Sequence, residues 1–144
     1  MKKILFGTLM LGLLFVTACS TSKMGNKMAQ LSVSFKAVNS VEGYDHLTRM
    51  IVYCDEKEVA RSTDKIQSES NTVIAQFPKG KHAIRLMMEA YDKESSKWEA
   101  RTLANNYSFD WAYQETAEFK GATNWLMTID IEGTEGNQIK LEKK

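Results

Sequence analysis

Apolar and polar residues alternate along most of the chain beyond residue 30. The first clear run places Leu31, Val33, Phe35 and Ala37 on one side, with serine and lysine between them. Because successive side chains of a strand point to opposite faces, this spacing predicts a strand with one buried face. Comparable runs predict further strands near residues 50–54, 59–60, 73–77, 84–90, 107–119, 125–131 and 138–141.

Turn residues separate these runs. The clearest turn is Pro78-Lys79-Gly80, where proline presets φ and glycine supplies a positive φ. The segment 84–90 also contains strong helix formers, but the turn before it favours a hairpin, so we predict a strand. Residues 98–102 stay ambiguous, because Ser96 and Glu99 have the spacing of a capping box for a short helix.

The number and spacing of the runs indicate an all-β domain. Seven to nine short strands separated by turns are typical of an antiparallel β-sandwich, and we predict an immunoglobulin-like one. The stretch from Phe77 to Ala90 is similar to small immunoglobulin-like and carboxypeptidase-regulatory-like modules of bacterial surfaces. That similarity is short and implies no functional residue. A small barrel that holds a lipid in its interior is an alternative.

The chain begins with a short positive segment followed by an apolar one. Lys2 and Lys3 precede thirteen uncharged residues, Ile4 to Val16. A helix of that length covers about 20 Å, which is less than the roughly 30 Å hydrocarbon core of a bilayer. We therefore predict a targeting signal that is removed, rather than a membrane span.

The end of this segment, Val16-Thr17-Ala18-Cys19, resembles the lipobox of bacterial lipoproteins. The resemblance implies that residues 1–18 are the signal peptide and that Cys19 carries the lipid. Ser20 then favours the outer over the inner membrane, on the periplasmic or the outer surface. An ordinary secretory signal is the alternative. Residues 19–30 are small and polar and predict a lipidated tether, followed by the domain at 31–144.

Charge and cysteine content narrow the class of protein. The full chain has 19 basic and 18 acidic residues, and removal of two lysines with the signal leaves 17 against 18. This balance gives no reason to expect a nucleic-acid partner. With Cys19 lipidated, Cys54 is the remaining cysteine. It lies within an apolar run, so we expect a buried thiol rather than a reactive one.

Catalytic signatures are not found in the sequence. It has no phosphate-binding glycine loop, nucleophile elbow or metalloprotease motif. The two histidines, His46 and His82, are expected at the surface or rim. Acidic pairs in loops, such as Asp92 with Glu94, lack the layout of a calcium loop. We therefore predict no enzyme, no catalytic residue, no cofactor and no metal.

A row of aromatic residues is the most specific feature of the domain. Tyr107, Phe109, Trp111 and Tyr113 recur at every second position, so on a strand they would share one face about 6.5–7 Å apart. Such a row either stacks on sugar rings or forms core, and the polar residues between them favour core. Trp98 lies beside a polar loop and is expected at a rim.

These observations predict a lipid-anchored envelope module that binds or supports without catalysis. Its expected partners are the membrane, through Cys19, and a glycan or an envelope protein. The alternatives are a glycan-binding sandwich at the cell surface and, behind it, a small periplasmic hydrolase or an enzyme inhibitor. The ligand-binding candidates are Trp98, Tyr107 and Trp111.

Overall fold

A computed structural model describes residues 27–144, which form two β-sheets packed face to face. The predicted lipidation site, Cys19, and the signal peptide lie outside the described residues. The strands are β1 Met28–Val38, β2 Leu47–Cys54, β3 Lys57–Arg61, β4 Lys65–Ile66, β5 Asn71–Pro78, β6 Gly80–Asp92, β7 Lys97–Ala100, β8 Ala112–Phe119, β9 Ala122–Asp130 and β10 Ile139–Lys143. A 3₁₀ turn covers Leu103–Asn105. Within 27–144 no helix is long and apolar enough to cross a membrane.

The two sheets have four and six strands. The first has the order β10-β9-β1-β5. In the second, β2 and β6 are central, β3 and β4 pair with β2, and β7 and β8 pair with β6. The predicted β-sandwich is therefore confirmed. Its pairs are antiparallel apart from β1 and β9, which run parallel from Gln30↔Ala122 to Val38↔Asp130.

The core lies between the sheets and follows the alternation of the sequence. Every second residue of β1, β2, β5, β6 and β9 is buried, including Trp125. Segment 84–90 is a strand, as predicted, because Gly80 at a φ of +141° lets β6 fold back from β5. Cys54 is also buried, as expected from its apolar neighbours.

The first strand begins earlier than the alternation indicates. Met28, Ala29 and Gln30 pair with residues 76–78 of β5, and Ala29 is buried. The prediction of a tether over residues 19–30 is therefore wrong for these three residues, which belong to the sheet. The alternation was not visible there because a methionine and a glutamine flank the single small apolar residue.

The aromatic row is the main error of the sequence-based assignment. Residues 107–111 are not a strand, and β8 starts only at Ala112. The segment instead belongs to a compact loop in which Asn106 adopts a left-handed conformation at a φ of 63°. Residues 97–100, in contrast, form a strand rather than a short helix.

Candidate functional site

A cavity of about 360 Å³ opens at the end of the sandwich where several loops meet. The β1–β2 and β7–β8 loops contribute most of its wall, together with the segments that follow β4 and β9. We call it the Arg101 pocket. The residues that define it are Tyr44, His46, Gln67, Arg101, Tyr107 and Trp111.

Backbone hydrogen bonds attach the β7–β8 loop to the sheet. The amide of Trp111 donates to the carbonyl of Arg101 at 2.8 Å, which closes the loop. Met88 of β6 accepts from the Arg101 amide and donates to the Trp111 carbonyl, both at 2.9 Å. Inside the loop, the Leu103 amide donates to the Asp110 carboxylate at 2.8 Å. The two pocket residues at the loop base are therefore held by the second sheet.

Arg101 is the unusual residue of this pocket. Its side chain is charged, yet the residue is only 3% exposed. The guanidinium carbon lies 4.0 Å from the ring centroid of Trp111 and 5.2 Å from that of Tyr107. Its Nε and Nη2 atoms have no hydrogen-bond partner among residues 27–144. Burial lowers the pKa of Arg101 to about 10, because the cation has lost its water.

Gln67 places a second unpaired polar atom in the same pocket. Its Nε2 donates to the carbonyl of Tyr44 at 2.9 Å and to the Ser40 hydroxyl at 3.3 Å. Both amide hydrogens are thus used, and this identifies the other atom as the oxygen. That oxygen, Oε1, is buried and has no partner in the described part of the chain. The pocket therefore offers unpaired donors and an unpaired acceptor.

His46 forms part of the exposed rim. Burial lowers its pKa first, and the positive charges of Arg101 and Lys93 lower it further. The carboxylates of Asp45 and Asp92 act in the opposite direction but more weakly. His46 is therefore neutral at pH 7, and Arg101 is the one cationic side chain among those that line the pocket.

Two acidic loop residues near this rim bind groups of the protein. The Asp45 carboxylate accepts from the amide and the hydroxyl of Ser68, which links the β1–β2 loop to the segment after β4. The Asp92 carboxylate accepts from the amides of Glu94 and Ser95 at 3.0 and 3.1 Å, within its own turn. These bonds give both aspartates a structural role.

The three predicted ligand-binding aromatics occupy two different places. Trp111 is buried and Tyr107 is half-buried, and both lie against Arg101 in the pocket. Trp98 lies on the outer face of the second sheet, with the guanidinium carbon of Arg49 at 4.0 Å from its ring centroid. The structure therefore groups Tyr107 with Trp111 and separates Trp98 from them.

The roles of Arg101 and Gln67 could not be predicted from the sequence. Neither residue belongs to a motif: Gln67 lies in a polar segment that indicates a loop, and Arg101 lies in the segment 98–102, whose local structure is ambiguous from the sequence. Their burial depends on contacts between loops that are distant in the chain. Arg101 lies between Ala100 and Thr102, and this local sequence does not distinguish it from the other arginines.

A second group of reactive side chains lies at the opposite end of β2 and β6. His82 Nδ1 is 2.6 Å from the Asp55 carboxylate, and Nε2 is 2.9 Å from the Pro78 carbonyl. Asp55 also accepts from the Ala83 amide at 2.9 Å. The Cys54 thiol points at the same carboxylate, with Sγ 3.9 Å from Oδ2. Ligand atoms of these three side chains lie within 4.8 Å of one another.

We call the group formed by Cys54, Asp55 and His82 the clasp, because its hydrogen bonds have a structural role. Both nitrogens of His82 face acceptors, and these hydrogen bonds raise the pKa of the ring and so favour its doubly protonated form. In that form the ring has no lone pair for a general base or a metal ligand. Burial raises the pKa of the Cys54 thiol, and the Asp55 charge raises it further. The clasp stabilises the β2–β3 turn, where Asp55 and Glu56 both have positive φ.

The clasp makes stability depend on pH. The hydrogen bond between His82 and Asp55 raises the pKa of His82. The same bond, together with the one from the Ala83 amide, lowers the pKa of Asp55. The His82 contribution is therefore complete below the ordinary histidine pKa and is lost as the pH rises through the higher folded value. We expect urea denaturation to show a decline in stability as the pH rises above the ordinary histidine value of 6.5.

The control for this prediction is His82→Gln, which should remove that decline. Asp55→Asn should bring the pKa of His82, followed by proton NMR, back toward the ordinary histidine value. A wild-type His82 that titrates below that value would contradict the assignment of the ring as a cation.

Comparison with known proteins identifies no relative in sequence. No family model matches the chain, and no curated protein matches it. Among solved structures, the chain is similar to a "putative cell adhesion protein" from Bacteroides ovatus ATCC 8483, at 10% identity and a TM-score of 0.39. The alignment covers 82% of this chain and 44% of that protein.

Proposed function

We propose that this protein is a lipid-anchored module of the bacterial envelope that binds a ligand in the Arg101 pocket without catalysis. The observation that carries the proposal is a buried arginine that lines an open cavity and has two donor atoms without partners among residues 27–144. Burial of an unpaired charge is costly, and stacking on Trp111 offsets only part of that cost. A ligand that pairs with the guanidinium explains why this charged residue is buried here.

The reactive side chains support binding rather than catalysis. His82 is hydrogen-bonded at both nitrogens, and the raised pKa of Cys54 favours its thiol form. His46 and Ser108 both line the Arg101 pocket, but no hydrogen bond joins them in the described structure. A serine nucleophile requires an adjacent base that is itself oriented by a third group.

The direction of β1 supports presentation of the pocket away from a membrane. The strand starts at Met28, beside Pro78 and the clasp, and ends at Val38, where the pocket loops begin. Its eleven residues span about 33 Å at roughly 3.3 Å per residue. A lipid on Cys19 would therefore anchor the end of the sandwich that lies opposite the pocket.

The anchor is tested by replacing Cys19 with alanine in a bacterial host grown with labelled palmitate. We expect the wild-type chain to incorporate label and to sediment with membranes, because two or three acyl chains hold a protein on a bilayer almost permanently. Cys19→Ala should lose the label and should leave the membrane fraction after carbonate washing or remain as an unprocessed precursor.

The matched control is Cys54→Ala, which removes the other cysteine of the chain. It should retain both the label and the membrane association. Equal labelling of the wild type and Cys19→Ala would refute the lipid anchor, and would leave the pocket to be judged by the binding experiment below.

A further inference from the structure

We infer that the Arg101 pocket, given the binding function proposed above, recognises a C-terminal carboxylate, specifically the last residue of a peptide or an N-acylated amino acid with an apolar side chain. Three features of the pocket support this assignment. They are the free edge of the guanidinium, the free oxygen of Gln67, and the apolar remainder of the lining.

The unpaired guanidinium atoms select a planar anion. Nε and Nη2 lie on the same edge of the group, and their hydrogens run parallel. This edge matches the two oxygens of a carboxylate in a bidentate pair. Trp111 and Tyr107 lie against the guanidinium, which restrains its plane. The stacking therefore fixes the orientation of an edge that matches a carboxylate.

The charge of the pocket favours a carboxylate over a phosphate. Arg101 is the one cation of its lining, since His46 is neutral at pH 7. A single buried positive charge neutralises a carboxylate monoanion, whereas a phosphate near charge −2 would keep excess charge in an apolar cavity. The pairing of one cation with one monoanion leaves no net charge buried.

Gln67 adds a requirement for a donor close to the carboxylate. Its buried Oε1 has no partner within residues 27–144 and accepts hydrogen bonds only. The terminal residue of a peptide carries its amide N–H on the same α-carbon as its carboxylate. One such residue therefore carries both the acceptor that Arg101 lacks and the donor that Gln67 lacks, whereas a simple fatty acid carries only the acceptor.

The rest of the lining indicates an apolar side chain. Val41, Tyr44, Trp111 and Ile131 contribute most of the remaining wall. At about 360 Å³ the cavity is near the lower limit of the roughly 300–1,000 Å³ typical of ligand sites, so it suits one terminal residue of a longer chain. An acidic sugar fits this wall less well, since its ring hydroxyls would need partners there. The free edge is shielded from solvent, so binding requires local side-chain displacement.

The test measures binding to the full chain purified in a non-ionic detergent. The probes are N-acetyl-leucine and an acetylated tripeptide ending in leucine, each compared with its C-terminal amide by calorimetry. We expect both acids to bind at least tenfold more tightly than their amides. The two probe lengths distinguish the two possible ligands. If the ligand is a free N-acyl amino acid, the tripeptide should bind no more tightly than N-acetyl-leucine. If the ligand is a peptide terminus, the tripeptide should bind more tightly.

A local readout comes from the two histidines in NMR titrations. A bound carboxylate neutralises Arg101, so the pKa of His46 should rise on addition of N-acetyl-leucine. His82, at the other end of the sandwich, should titrate unchanged. Arg101→Met should abolish binding, and Arg101→Lys, which keeps the charge but loses the flat edge, should weaken it at least tenfold. Arg85→Met, on the outer face of the second sheet, is the matched control and should bind normally.

The remaining outcomes overturn the inference in distinguishable ways. Equal binding of acid and amide would show that the pocket recognises only the apolar part of the ligand and not its carboxylate. The proposed binding function would then remain intact. Tighter binding of glucuronate or of inorganic phosphate, tested in parallel, would replace the peptide-like ligand with an acidic sugar or a phosphate. Binding that persists in Arg101→Met would place the ligand elsewhere on the protein. Binding of none of these probes would overturn the assignment of the ligand class.

Discussion

Replacement of Trp125 by alanine is expected to lower the free energy of unfolding by about 3–5 kcal/mol, the usual cost of removing a large aromatic from a core. Trp125 lies in β9 and is buried between the sheets. Its ring packs near Phe119 and Tyr113, with centroids at 5.9 and 6.3 Å. Alanine would leave a cavity that these neighbours cannot fill. Urea denaturation followed by circular dichroism measures the change.

Two matched variants locate the origin of that loss. Trp125→Phe keeps an aromatic ring and removes an indole N–H that has no partner in the described structure, so it should cost much less than alanine. Trp98→Ala removes a tryptophan from the outer face of the sheet and should cost about 1 kcal/mol, mainly its stacking with Arg49. Similar losses in Trp98→Ala and Trp125→Ala would contradict the placement of Trp125 in the core.

The strands could be predicted because successive side chains of a strand point to opposite faces, and burial of one face makes every second residue apolar. Along β1 and β9, alternate residues such as Val33 and Met127 are fully buried, and the polar residues between them face outward. Segment 84–90 shows that the tertiary setting outweighs helix propensity, since β6 pairs on both sides with other strands. Parallel pairing of β1 with β9 could not be seen, because alternation carries no information on which strands are neighbours.

The same rule failed where a loop imitated a strand. Tyr107, Phe109 and Trp111 alternate as in a sheet, but they belong to a loop that closes through the backbone of Arg101 and Trp111. Asn106 can be recognised in the sequence as a turn residue, but the hydrogen bond between the Leu103 amide and Asp110 cannot. Trp111 is nevertheless buried. The prediction that it belongs to the core is therefore confirmed, although it lies in a loop and not in a strand.

The candidate site escaped prediction for a related reason. A site on loops depends on contacts between segments that are far apart in sequence, here Gln67, Arg101 and the β1–β2 loop. Only the assembled structure shows that Arg101 is enclosed. The aromatic side chains of the pocket could be singled out from the sequence because of their regular spacing, whereas Arg101 could not, because most arginines are solvated.

Arg101→Met is expected to raise the free energy of unfolding while it removes the binding site. The fall in the pKa of Arg101 from its ordinary value to about 10 corresponds to roughly 3 kcal/mol of destabilisation of the buried cation. Methionine has a similar length and no charge, but it loses the stacking on Trp111, so the net gain should be about 1–3 kcal/mol. Urea denaturation at pH 7 without ligand measures this gain.

The sign of this effect separates a binding residue from a structural one. Arg85 is stacked on Tyr53 and paired with Glu56 at 3.3 Å, so Arg85→Met should leave stability unchanged or lower it slightly. Above about pH 10 the folded protein should lose the Arg101 proton before the unfolded chain does, so the advantage of Arg101→Met over the wild type should shrink. A loss of stability in Arg101→Met would mean that the guanidinium stabilises the loops. A gain would identify a residue kept at a cost to stability, as is common where a site is built to receive a ligand.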